Sequence, residues 1–132
     1  MIYPSARAVT LAAILTAVAV CGTSTANAQK RSDFNGDWTV TIRSSSGECG
    51  SNSMGVRIQD GAVIYMGGMG VKMSGSVHSG GSVSVSVSDR ESGRSAHGSG
   101  KLNAQNGTGR GHWSGRGPTG SCGGSWSAQR SG

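Results

Sequence analysis

The chain is 132 residues long, with 24 glycines, 5% aromatic residues and a formal charge of +6. That length suits one domain, and so few large apolar side chains leave it a thin core. The basic residues are scattered singly, without a cluster or a basic helix. This argues against nucleic-acid binding and reads as a solubilising surface, or as an attraction for an anionic envelope component.

Residues 1–28 read as a cleaved secretory signal helix. Arg7 supplies the basic start, Val9 to Val20 the apolar run, and Ala26-Asn27-Ala28 the small-x-small cleavage site. The run is shorter than the roughly 20 residues that a membrane span needs, and no second apolar stretch of that length follows. The mature chain is therefore expected to begin at Gln29, to lack a transmembrane span and to be periplasmic or secreted. Cys21 raises the alternative of lipidation, against which stands the bulky Val20 before it, where such cleavage needs a small residue.

Removal of the signal leaves Cys49 and Cys122. In an oxidising compartment an even count reads as a disulfide. Free thiols or metal ligands are the rival readings, and the close C-x-x-C spacing of zinc sites is missing.

From residue 37 onward the pattern is period-two alternation, the mark of half-buried strands. Trp38, Val40 and Ile42 share one face of a first strand. Met54, Val56 and Ile58 share one face of a second, which Asp60-Gly61 turns into a third over Ala62 to Met66. Gly67 to Gly70 is a flexible connection to a fourth strand, Val71 to Val77. After the turn at His78 to Gly81, Ser82 to Ser88 alternates serine and valine throughout. The charged stretch Asp89 to Arg94 is expected in solvent. Ala96, Gly98, Gly100 and Leu102 form the inward face of a sixth strand, and Gly109, Gly111, Trp113 and Gly115 that of a seventh, with Arg110, His112, Ser114 and Arg116 outward. Cys122, Gly124, Trp126 and Ala128 form the last inward face.

All three tryptophans follow a glycine by two residues, at Gly36-Asp37-Trp38, Gly111-His112-Trp113 and Gly124-Ser125-Trp126. A bare Cα beside an indole makes room for it, so Trp38, Trp113 and Trp126 read as structural core. About eight short strands joined by brief turns predict an all-β meander, an antiparallel up-and-down barrel or a flattened sandwich. Residues 29–36 read as an N-terminal extension and 37–132 as a single β domain. A Cys49–Cys122 bridge would hold the first and last strands together, which favours the barrel.

Phe34-x-Gly36-x-Trp38-x-Val40, the Gly-x-Trp-x-Gly at 111–115 and Cys122-x-Gly124-x-Trp126-x-Ala128-x-Arg130 together resemble short Gly/Ser-rich exported proteins of alphaproteobacteria, some of them with a loose exoprotein, haem-use or adhesion label. A Gly-x-Trp opening the first strand and a late basic residue are also similar to the lipocalin and avidin type of barrel. That resemblance implies that Arg130 stacks over Trp38. It implies a fold and no activity.

No catalytic constellation is legible, and no cofactor or metal is implied. The carboxylates fall at strand ends and turns, where they serve local hydrogen bonding, and His97 and His112 fall on outward faces. Serines lack the strand-to-helix elbow of a nucleophile. Tyr65, Met66, Met69 and Met73, together with Met54, form a ligand candidate, since flexible methionine surfaces grip apolar groups, with plugging of a barrel end as the alternative. The expected role is non-catalytic, either a binding or surface-interaction module whose partner is a small apolar ligand or an anionic envelope component, or a structural or adhesive envelope protein.

Overall fold

A computed structural model of the protein describes residues 29–132 apart from Glu48. The signal segment expected over residues 1–28 lies outside the described residues. The chain forms a closed antiparallel barrel of eight strands in sequence order, β1 (Gly36–Ser46), β2 (Asn52–Gln59), β3 (Ala62–Tyr65), β4 (Val71–Val77), β5 (Ser82–Asp89), β6 (Arg94–Asn103), β7 (Thr108–Gly117) and β8 (Gly120–Arg130). Closure comes from β1 pairing with β8, from Trp38 opposite Arg130 to Ser44 opposite Gly124, with a bulge beyond Ser44. That leaves no free sheet edge at the ends of the meander.

The strands form where the alternation predicts them. Valines 83, 85 and 87 of β5 line the inside, while Ser84, Ser86 and Ser88 pair across the outside with Ser76, Ser74 and Lys72 of β4. The β2–β3 turn depends on Asp60-Gly61, both at positive φ, 48° and 85°, the geometry that a two-residue hairpin needs. The weakest seam is β3–β4, where the ladder holds a single pair, Ala62 with Ser76. Val77 N–H adds a bond to Gly61 O at 2.7 Å.

The packed core fills one end of the barrel. Phe34 and Val77 are 0% exposed and Trp38 1%, and Val56, Ile58, Val63, Val83, Leu102 and Ala128 complete the cluster. The segment expected as an extension is part of this end. A short 3-10 turn over Arg31–Phe34 drops Phe34 into the core, and its neighbours tie down the turns around it. Gln29 accepts a bond from Gly80 N through its carbonyl at 2.7 Å and from Ala104 N through its side chain at 3.1 Å. Asn35 Oδ1 accepts from Asp60 N at 2.8 Å. Residues 29–35 thus lid the barrel, and Phe34 O takes the indole hydrogen of Trp38 at 2.9 Å.

Arg130 covers the same indole, its guanidinium carbon 4.8 Å from the ring centroid. Its Nη2 donates to Asp33 O at 2.8 Å, so one side chain joins the last strand, the first strand and the lid. Cys49 and Cys122 are joined at the opposite end, with Cα atoms 6.0 Å apart. The bridge ties the β1–β2 connection to the start of β8, beside the line where the barrel closes.

Among the described residues no helix is long and apolar enough to cross a membrane. Among the described residues the outward strand positions carry mainly hydroxyls, imidazoles and cations, with Ile64 of β3 the large apolar exception, and most apolar side chains face inward. A lipid-embedded barrel needs the reverse.

Candidate functional site, an apolar lumen with a basic mouth

The lid fills only one end. Towards the disulfide the interior opens into a cavity of about 330 Å³, within the range of small-molecule sites. Its walls follow from strand parity. Val40 and Ile42 of β1, Met54 of β2, Met73 of β4, Val85 and Val87 of β5 all point inward past the packed cluster, and Trp113 and Trp126 complete the wall.

The two indoles are set by a reciprocal pairing. On β7 and β8 the two Gly-x-Trp motifs run antiparallel, so that Trp113 stands opposite Gly124 and Trp126 opposite Gly111. Trp113 reaches across β8 to β1, where its Nε1 donates to Arg43 O at 3.1 Å, and Trp126 reaches across β7 to β6, where its Nε1 donates to Ser99 O at 3.1 Å. A Cβ on Gly124 would overlap Arg43 O, and one on Gly111 would overlap Ser99 O and sit 2.6 Å from the Trp126 ring. The glycines therefore leave the space in which carbonyl and indole N–H meet. Both rings lie along the wall with their polar atoms spent, and they offer the lumen only apolar faces.

Of the residues expected as core, Trp38 is buried, whereas Trp113 and Trp126 are half-buried and line the cavity. They do not fill the interior, because each is held flat against its neighbouring strand. Tyr65 and Met73 of the expected ligand group line the lumen. Met66 and Met69 do not. They are 49% and 98% exposed on the β3–β4 connection, where they plug nothing, and with Ile64 at 44% they are the exposed large apolar residues among the described ones. Met54, the other methionine of that group, lies on the inward face of β2 and lines the lumen as well.

Polar groups gather at the mouth, where Asn52, Asp89, Ser92, Arg94, Ser95 and Arg116 join the lining. Two of these correct the sequence reading. Arg94 is exposed as expected, but it is the first residue of β6 with the inward parity of Ala96, so it stands at the mouth and not within the loop. Arg116 has outward parity, yet it stands one residue from the end of β7, where a long side chain reaches over the rim. Asp89 accepts bonds from Glu91 N at 3.0 Å and Ser92 N at 3.5 Å. Its carboxyl is held below the ordinary carboxylate range, first by the Ser92 side chain, then by those backbone donors and the charge of Arg94.

Two further contacts of titratable groups lie on the outer wall. Asp37 meets Arg57 at 2.9 Å on the outer wall and raises the pKa of that guanidinium. His97 meets Ser86 Oγ at 3.2 Å outside, and it lies one ladder step diagonal to His112. Among the described residues no three metal-binding side chains converge. The arrangement as a whole encloses apolar matter and presents charge at its opening. No protein-family model, curated protein or solved structure matches the chain.

Proposed function

We propose that the protein is an exported, non-catalytic barrel that holds a small apolar ligand in its lumen. The observation that carries this reading is the cavity of about 330 Å³, walled by valines, methionines and two indoles whose N–H groups are already bonded. Empty apolar volume forgoes dispersion contacts with its own lining, so a ligand that fills it gains them. The lid and the packed closed end supply a rigid floor. The disulfide supports a place outside the cytoplasm, where such bonds persist.

Titration of the oxidised protein with the neutral dye N-phenylnaphthylamine tests the proposal. Saturable binding with quenching of indole emission is expected, because Trp113 and Trp126 face the dye. Gly98→Leu supplies the control for the site. A Cβ at Gly98 meets only ordinary contacts, at 3.7 Å, and the longer side chain projects into the lumen between the two indoles, so binding should weaken with the fold intact. Absence of saturable binding, or undiminished binding by a folded G98L variant, overturns the reading.

A second reading, as a structural or adhesive envelope protein, draws on the exposed Ile64, Met66 and Met69. Apolar residues gathered on one segment mark interaction surfaces. Retention of the protein by envelope fragments, lost on M66S/M69S substitution with lumen binding unchanged, would favour it.

A further inference from the structure

We infer that the ligand of the lumen is an amphiphilic acid, whose apolar body fills the cavity and whose anionic group sits at the mouth against Arg94 and Arg116. The inference rests on the lumen-binding reading and adds to it the chemistry of the ligand's head. The placement of the two cations carries it. Arg94 runs across the end of β7, with Cγ and Nε 3.6 and 3.8 Å from the position of a Cβ on Gly117 and Cys49 Sγ 4.0 Å from that same position. It is thus laid inward over the rim beside the disulfide, next to Arg116, which itself pairs in the ladder with Ser95.

Among the described residues neither guanidinium makes a side-chain hydrogen bond, and the ion pair present is Arg57 with Asp37 on the outer wall. Asp89 is the acidic group in the cavity lining. Its carboxylate is turned to the backbone of its own hairpin, on Glu91 N and Ser92 N, so among the described lining residues two cations stand against one engaged anion. The rest of the lining is apolar apart from Tyr65, whose hydroxyl lies against Gly67 on the β3–β4 connection, and the indole N–H groups are committed to Ser99 O and Arg43 O. A ligand with its polar group at the far end would bury it without a partner, which is costly. One with its acid at the rim keeps that group in water and within reach of two forked donors, which suit a carboxylate or a phosphate ester.

Size adds a bound. At roughly 30 Å³ for each water-sized group, the cavity takes about ten methylene-sized groups. Decanoate is therefore the probe, with decanol and decyltrimethylammonium as partners of matched tail and different head. Displacement of N-phenylnaphthylamine from the oxidised protein reads all three. Decanoate should compete about tenfold more strongly than decanol, the scale of one charge-assisted contact at a partly wet site, and the ammonium compound most weakly. The preference should shrink at about 1 M salt, where the Debye length is about 3 Å. In R94Q/R116Q decanoate should fall to the level of decanol measured on the same variant, and a cooperative thermal melt followed by circular dichroism reports that the variant is folded.

Equal competition by decanoate and decanol overturns the inference and leaves the lumen-binding reading in place. So does a preference that survives in R94Q/R116Q. Failure of the dye and of all three amphiphiles overturns both. Decanoate and decyl phosphate compared at equal concentration separate the two acid classes. A preference for either upholds the shared chemistry.

Discussion

Trp126 stands opposite Gly111, and its indole nitrogen bonds Ser99 O on the strand beyond, 3.1 Å away. With Trp113 opposite Gly124 bonding Arg43 O, the repeated Gly-x-Trp becomes a matched pair, in which each motif supplies the bare Cα for the other's ring. A methyl group at Gly111 has nowhere to go, since it would meet a backbone carbonyl as well as the ring. Gly111→Ala should destabilise the protein by about 1–3 kcal/mol, the usual cost of overpacking. Gly98→Ala faces only ordinary contacts at 3.7 Å and should leave the thermal midpoint within a degree or two of the parent. Melts of the two variants check the contrast, and equal midpoints would remove the role assigned to the paired glycines.

The disulfide spans 73 residues of sequence. In the chain-entropy account a loop of that length is worth about 4 kcal/mol, through the states it denies to the unfolded chain. That matches the small net stability of a domain this size, and the packed core occupies only one end. Reduction, or the C49S/C122S double substitution, should lower the thermal midpoint by many degrees. Coincident melts of oxidised and reduced protein would contradict it.

Much of the fold was legible in the residues, because alternation is a local property. The Ser-Val run of β5 and the Asp60-Gly61 turn need no knowledge of the rest of the chain, and the place of Cys49 and Cys122 beside the first and last strands pointed to closure. What was hidden depends on register. The facing of Trp113 with Gly124 is decided by the length of the β7–β8 turn, so two similar motifs announced a repeat without announcing that they face each other. Arg94 was hidden because it reads as the end of the charged loop before β6, and Arg116 because its outward parity masks a side chain long enough to reach over the rim. The cavity itself is a difference of volumes between wall and contents, a quantity that no single residue carries. Residues 29–35 were hidden for another reason, since Phe34 shares the parity of Trp38 and Val40 but sits in a 3-10 turn ahead of their strand, which alternation does not announce.

Asp89 gives the mouth a defined response to acid. Its carboxyl titrates below the ordinary range because the Ser92 hydroxyl beside it, and then the backbone donors Glu91 N and Ser92 N, favour the charged form. A depressed native pKa means that the contribution is fully present above the ordinary carboxylate pKa. It is lost as the pH falls through that value towards the native one. In a carboxyl-carbon titration by NMR, Asp89 should show a midpoint below that of an Asp in a random chain. Ser92→Ala should raise that midpoint, and an unshifted value in the parent would show that the turn does not hold the carboxylate.

Arg130 is the remaining test of the closed end, because it touches both the indole of Trp38 and the carbonyl of Asp33. Arg130→Ala removes a cation–π contact and a charged hydrogen bond together, and about 1–3 kcal/mol is the expected loss. Arg130→Lys keeps the charge but cannot both lie flat over the ring and donate to Asp33 O, so it should recover less than half of that. The loss should also have a location. With the strap gone, Trp38 loses a cover and residues 29–35 lose an anchor, so the variant should show red-shifted indole emission and faster proteolysis near Lys30 and Arg31. The mouth lies at the other end of the barrel, and dye binding at low temperature should be unchanged. A variant that melts early but keeps the parent's cleavage rate at those two residues would show that Arg130 stabilises the sheet without holding the lid.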